Sequence, residues 1–294
     1  MDFQAMGTTF FCILVGGDKE IYDSIYERVS ELEKSWSRFI ADSELMLLNN
    51  NPDSEIKVSE FTLQLISEMK NGFELTGGLY DANVLAHLVD LGFGTSRIDS
   101  AKTTNWQAKA LSTSTISDVD VDLQAMTVRI PKGVALDSGG IGKGLAADLI
   151  CDYALQLGAM GVAVFAGGDV SVKGMSPDAN GWNVRISDPM NPDKFIGSVL
   201  LSRGGLATSS PLGWSTGNFH HIIDPRTKTS SNSNVIQATV ITQKASQAEA
   251  LSKMCVILNA SEAIARIDSL GAAVLIVDTE HQIHTSKNWD AYSC

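Results

Sequence analysis

Residues 134–149 read VALDSGGIGKGLAADL. No other stretch of this length limits the fold as much. An apolar step leads to Asp137, then Gly139, Gly140, Gly142 and Gly144 surround Lys143, and Asp148 follows. Glycines this close together let backbone segments approach one another, and a helix that begins among them exposes its first N–H groups. Ile141, Leu145, Leu149, Tyr153 and Leu157 recur at helical spacing, so the helix starts inside the stretch and stops at Gly158. Two readings stay open here. One is a tight strand-to-helix turn in which Asp137 is the cap. The other is a cradle for a phosphate-bearing ligand, with backbone N–H groups, the helix dipole and the Lys143 point charge acting together. The glycine spacing is neither a Walker A loop nor GxGxxG.

The chain has 294 residues, of which 44% are hydrophobic and 19% charged, as in a soluble globular protein with a large core. Its formal net charge of -12 argues against nucleic acid or an anionic membrane as the main partner, since both need a positive surface. A local basic pocket for one small anion is still compatible with that charge. No apolar run is long enough for a transmembrane segment. The N-terminal MDFQAMGTTFFCILVGG has no basic region before its apolar run, so it is not a signal peptide as written, and localisation is left unassigned. Cys12, Cys151, Cys255 and Cys294 form no CxxC pair; three lie in apolar runs and read as buried thiols rather than zinc ligands.

MGTTFFCILV is expected to be the first strand, followed by a helix on Ile25, Val29, Leu32 and Trp36, and by a second helix from Phe61 to Thr76 stopped by Gly77 and Gly78. TSTISDVDVDLQAMTVRIP alternates as two strands and a turn. VAVFAGGDVSVKG reads as one strand bent by glycines, and WNVRIS, FIGSVLLS, GLATSS, FHHIID and VIQATVIT as further strands. Helices over about 246–258 and 261–270 precede the closing strands AAVLIVDT and QIHTS. SDPMNPD and PRTKTSSNSN are surface excursions, not linkers, so residues 1–294 are read as a single domain. Paired helices and runs of strands favour an α+β fold over a regularly alternating one.

Two further constellations stand out. FAGGDV places Gly167 and Gly168 before Asp169, which marks either a bulge or a close approach by a ligand or another backbone. HHIIDP brings His220, His221 and Asp224; adjacent strand histidines face opposite ways and do not chelate one metal together.

MGTTF, SRFIADSELMLLN, GGLYDANV with LGFG, LDSGGIGKGLAAD, AGGDVSVKG and HHIIDPRT, in that order, resemble the successive signatures of the ApbE family, the FAD:protein FMN transferases. The likeness runs from Met6 to roughly Leu270. It implies an α+β domain with a mixed, largely antiparallel sheet, packed helices and a ligand cleft between its halves. It also implies an enzyme that uses FAD and Mg2+ to move FMN onto a threonine or serine hydroxyl of an acceptor protein, with release of AMP. The alternatives are a flavin-binding carrier without transferase activity and a hydrolase that gives FMN and AMP. By position, the resemblance assigns Met6, Phe39 (where many relatives have tyrosine), Leu79, Tyr80, Asp81, Asp137, Lys143 and Ile223 to the dinucleotide. It assigns the Gly140 carbonyl to the metal and proton removal to His221. Relatives carry an aspartate and, four residues later, a threonine as metal ligands; here SQAEALSKM puts Glu249 and Lys253 there, either as an exposed i, i+4 ion pair or with Glu249 still reaching the metal and the Lys253 ammonium beside it. Relatives also carry a tyrosine and an arginine after the strand GLATSS, whereas this chain continues SPLGWSTGNFHH.

Overall fold

The computed structural model describes residues 1–104, 106 and 113–294. Eight strands form the main sheet: β1 (Asp2–Ala5), β2 (Thr8–Val15), β3 (Gly161–Ala166), β4 (Asp169–Gly174), β5 (Gly204–Ser209), β6 (Val235–Thr242), β7 (Ala273–Asp278) and β8 (Ile283–Thr285). Their order across the sheet is their order in the chain, and every neighbouring pair is antiparallel. The sheet is therefore a meander without the mixed pairing expected from the sequence.

Two expectations about strands change. MGTTFFCILV is not one strand: Met6 and Gly7, at φ 49° and 74°, form a two-residue turn between β1 and β2. Positive φ at both central residues is the type I′ pattern, whose twist matches that of the flanking strands. VAVFAGGDVSVKG likewise splits into β3 and β4, with Gly167 at φ 66° in the turn.

Seven α-helices lie among the described residues: α1 (Lys19–Trp36), α2 (Glu44–Asn50), α3 (Glu60–Thr76), α4 (Leu85–Asp90), α5 (Gly142–Gln156), α6 (Ala245–Ile257) and α7 (Ala260–Ser269). α1 buries Ile21, Ile25, Val29, Leu32 and Trp36, the helical stripe read from the sequence, and Asp18 caps it by accepting from the Ile21 N–H at 3.0 Å. α3 ends on Gly77 in the left-handed conformation. α2 and α4 were not expected; each is about two turns or fewer, too short for a clear period.

Period-two alternation divides the sheet between two cores. Val162 and Val164 pack with α1, α3 and α5, while α6 and α7 cover β6 and β7 through Ala238, Val240, Val274 and Ile276. Ala163, Val170 and Val172 face the other way, onto Trp182, Val184 and Ile186 of a hairpin formed by Trp182–Ser187 and Phe195–Leu201. A small sheet joins Ile56–Lys57, Thr127–Arg129 and Asp120–Asp122, which includes the two strands read from TSTISDVDVDLQAMTVRIP.

Neither α5 nor α6 carries a side-chain cap of its own at its N-terminus. Each takes a carboxylate from the other. Asp148 of α5 accepts from the Ala245 N–H at 2.9 Å, the Ser246 N–H at 3.0 Å and Ser246 Oγ at 3.0 Å. Glu249 of α6 accepts from the Gly144 N–H at 2.8 Å. The exchange requires close approach: a Cβ on Gly144 would lie 2.6 Å from the Ala245 carbonyl oxygen and 2.8 Å from the Ser246 nitrogen. Both neighbours are backbone and cannot turn aside. Gly144→Ala should therefore destabilise the fold by about 1–3 kcal/mol, as overpacking does. Urea denaturation followed by circular dichroism measures this, and an unshifted midpoint would show that the helices separate freely.

Candidate functional site

A cleft of about 430 Å³ opens where the β1–β2 turn, the end of α1, the glycine turn before α5, the β3–β4 turn and the segment 213–223 converge. Met6, Phe39, Leu79, Tyr80, Asp81, Asp137, Gly140, Lys143, His221, Ile223 and Lys253 all line it. Glu249 lies behind this lining, fully buried.

The glycine turn is built from its aspartate. Asp137 Oδ1 accepts from the Gly139 N–H at 2.8 Å, so Asp137 caps the short 3-10 turn Ser138–Gly140 that precedes α5, not α5 itself, and its Oδ2 lies 3.3 Å from Arg38 Nε. Gly140 has no room for a side chain, because a Cβ would stand 2.6 Å from Tyr80 Cε2. Asp81 holds two chain segments together by accepting from the Asn83 N–H at 2.9 Å and the Ile116 N–H at 3.1 Å. Burial pushes its carboxyl above the ordinary value against those two bonds.

The floor of the cleft is a cluster of four charges. Lys143 Nζ is 2.5 Å from Glu249 Oε1, 3.1 Å from Asp169 Oδ2 and 3.3 Å from the Gly139 carbonyl oxygen. Lys253 Nζ is 3.2 Å from the same Glu249 oxygen and 3.4 Å from the Glu249 carbonyl oxygen. Burial works against the Lys143 ammonium, but Asp169 and Glu249 hold it above its ordinary value. Burial would also raise Glu249; Lys143, Lys253 and the Gly144 N–H outweigh it and leave the carboxyl below its ordinary value. Asp169 goes the other way, pushed up to about 6 by burial and the nearby Glu249 charge.

This geometry alters two expectations. At the α5 N-terminus, read as a cradle for a phosphate, the Gly144 N–H is taken by the protein's own Glu249 carboxylate, and the Lys143 ammonium already faces protein acceptors. Glu249 and Lys253 are not a solvent-exposed i, i+4 pair: their side chains are 1% and 16% exposed, and Lys253 faces the cleft. The residues present also fail to make the donor set that the resemblance implies for magnesium. Both Glu249 oxygens are engaged, a protonated lysine has no lone pair to give a metal, and among the described residues no group of three His, Cys, Asp or Glu side chains is placed to hold one.

His221 does not sit within a strand. It lies between the short strands Phe219–His220 and Ile223–Asp224, with Nδ1 3.1 Å from the Trp214 carbonyl oxygen. A carbonyl only accepts, so Nδ1 carries the proton and Nε2 keeps its lone pair. Burial, helped by Lys253, Lys143 and His220, lowers the His221 pKa from 6.5 to about 4. His220 turns away, to the Ser231 carbonyl oxygen at 2.9 Å.

Arg38 and Trp214 had not been singled out. The Arg38 guanidinium lies 4.7 Å from the Phe39 ring centroid and 5.9 Å from that of Trp214, and Trp214 meets Phe93 edge-on at 5.1 Å. Arg38 donates to the Phe93 carbonyl at 2.7 Å, yet its Nη1 is buried with no partner, as are Tyr80 OH and Trp36 Nε1. A signal for Arg38 was present: an arginine beside Phe39 in the segment already quoted.

Fold and site together define an α+β protein whose antiparallel meander carries one cleft with a charged floor, an aromatic wall and unanswered polar atoms. The model of the ApbE family matches residues 6–276, and the chain belongs to that family. It is 25% identical over 285 residues to the FAD:protein FMN transferase of Vibrio cholerae, covering 92% of this chain and 85% of the relative. It is also 25% identical over 299 residues to that of Escherichia coli K12, covering 95% and 84%. The crystal structure of the ApbE protein from Thermotoga maritima superposes with a TM-score of 0.88 at 26% identity, over 100% of this chain and 98% of the other. The flavin transferase ApbE from Vibrio cholerae gives 0.82 at 22% identity, over 99% and 98%.

Among the described residues, Lys143 alone forms ion pairs with both Glu249 and Asp169. Lys143→Met leaves Glu249 and Asp169 with Lys253 alone and should cost about 3–5 kcal/mol of stability, as for a broken buried ion pair. Chemical denaturation at neutral pH checks this; a change near zero would mean that Lys143 is not part of the scaffold.

Proposed function

We propose that this protein is an FAD:protein FMN transferase, acting as one domain over residues 1–294. It transfers the FMN moiety of FAD to a threonine or serine hydroxyl of an acceptor protein and releases AMP. The observation that carries this reading is convergence: Met6, Phe39, Tyr80, Asp137, His221 and Ile223, far apart in a chain that belongs to the ApbE family, line one cleft.

The acceptor oxygen attacks the phosphorus that bears the riboflavin portion. A bond forms from that oxygen to phosphorus, the bond from phosphorus to the bridging pyrophosphate oxygen breaks, and AMP leaves with that oxygen. The hydroxyl proton needs an acceptor, and neutral His221 offers Nε2 for it. Arg38 Nη1 and Tyr80 OH are unpaired donors lining the cleft, suited to oxygen atoms of a ligand. No step is assigned to magnesium, since the donor set does not fit it.

The test is incubation with FAD and a candidate acceptor flavoprotein, followed by mass spectrometry. Covalent flavin on the acceptor supports the proposal. Free FMN and AMP without labelling would overturn it in favour of hydrolysis, and unchanged bound FAD in favour of a carrier. His221→Gln should lower the single-turnover rate by about 10²–10⁴ while FAD still binds. The pH dependence has a definite sign. Protonated His221 cannot accept the proton, so activity falls as pH drops through its pKa. With that pKa lowered to about 4, kcat/KM should stay level through pH 6.5, where an ordinary histidine would already be titrating. A limb centred near 6.5 would show that burial does not lower His221 in this way, and the same limb persisting in His221→Gln would exclude His221 as its source.

A further inference from the structure

We infer that Lys253, rather than Lys143 or a divalent ion, is the cation that meets the phosphates of the dinucleotide, and that dinucleotide binding by this protein needs no divalent metal. This rests on the FAD reading above and adds which group recognises the pyrophosphate.

The argument is a count of donors. An ammonium has three N–H groups and no acceptor. Lys143 Nζ hydrogen-bonds to Glu249 Oε1 and the Gly139 carbonyl oxygen and is also ion-paired at 3.1 Å with Asp169, so its charge is already shared between two buried carboxylates. Lys253 has two protein acceptors, both supplied by Glu249, its neighbour one helical turn earlier. Its remaining N–H has no partner among the described residues, and its side chain lines the cleft. An independent observation points to the same ligand. Tyr80 is 4% exposed, its hydroxyl has no partner, and it lines the same cleft.

Charge supports the assignment. With both lysines protonated, Asp169 and Glu249 are balanced and the floor is neutral; without the Lys253 charge it is anionic and repels phosphate. The same cluster disfavours a divalent ion. Glu249 Oε1 is shared by two ammoniums and Oε2 takes the Gly144 N–H, so a metal would have to displace a lysine from a buried ion pair.

The test is calorimetric titration with FAD, in EDTA and in magnesium, with riboflavin as the phosphate-free control. The wild-type Kd for FAD should agree within about twofold between the two conditions. Lys253→Met should weaken FAD binding about 10–100-fold, the range of a lost charge-assisted hydrogen bond, and leave riboflavin binding unchanged. Lys253→Arg should restore most of the affinity. Lys253→Thr should bind FAD weakly in EDTA and recover with magnesium. A wild-type affinity that collapses in EDTA overturns the inference, as does Lys253→Met binding FAD like wild type. If Lys253→Met does not fold, Lys253→Gln takes its place with the same expected loss of FAD affinity, and FAD binding like wild type by that variant overturns the inference. Wild type that binds no FAD under either condition overturns the functional reading, and this inference with it.

Discussion

The fold depends on an exchange of carboxylates between two helices. α5 and α6 begin without caps, and their N-terminal ends, each with partial positive charge and unpaired N–H groups, lie side by side. Asp148 answers one and Glu249 the other. This fixes the relative placement of α5 and α6, and α6 also packs on β5 and β6. Glu249 then does a second thing: its other oxygen draws Lys143 and Lys253 into one cluster at the base of the cleft. The cleft floor and the helix junction are thus one piece of electrostatics, and neither can be rebuilt without the other.

Much of this was legible in the sequence because it is local. The stripe Ile21, Ile25, Val29, Leu32, Trp36 specifies α1 by its period, and Gly77 ends α3 by its conformation. Six short motifs in order were enough to point to the family and to most residues that line the cleft. What stayed hidden involves pairing across the chain. Nothing near Gly144 announces that Glu249 will cap its helix, so the glycine turn read as an anion site. It is one, but the anion is internal. Met6 and Gly7 passed for strand because a methionine rarely takes positive φ, and only the pairing of Asp2–Ala5 with Thr8–Phe11 reveals the turn. The charges of Glu249 and Lys253 read equally well as a solvated pair, because burial of α6 comes from the sheet and α5, not from its own pattern.

The cleft divides its polar groups into those already satisfied and those left open. Asp81, Asp137 and Lys143 hold protein segments, and their bonds are made before any ligand arrives. Arg38 Nη1, Tyr80 OH and Trp36 Nε1 are buried and unanswered. Buried polar atoms without a protein partner are costly, so these three gain from any water or ligand oxygen that reaches them in the cleft. His221 belongs to the open group for a different reason: its Trp214 contact settles the tautomer and leaves the far nitrogen free.

The meander itself has a kinetic meaning. Its strands pair in chain order, so the sheet can grow from the N-terminus as the chain emerges. The helix junction cannot: Gly144 and Glu249 are 105 positions apart, and Asp148 and Ala245 97. Until the last fifth of the polypeptide is made, α5 stands with its first N–H groups unanswered and Lys143 without Glu249. The cleft is therefore among the last features to form during synthesis, and a nascent chain halted before α6 would hold a partial sheet but no finished cleft floor.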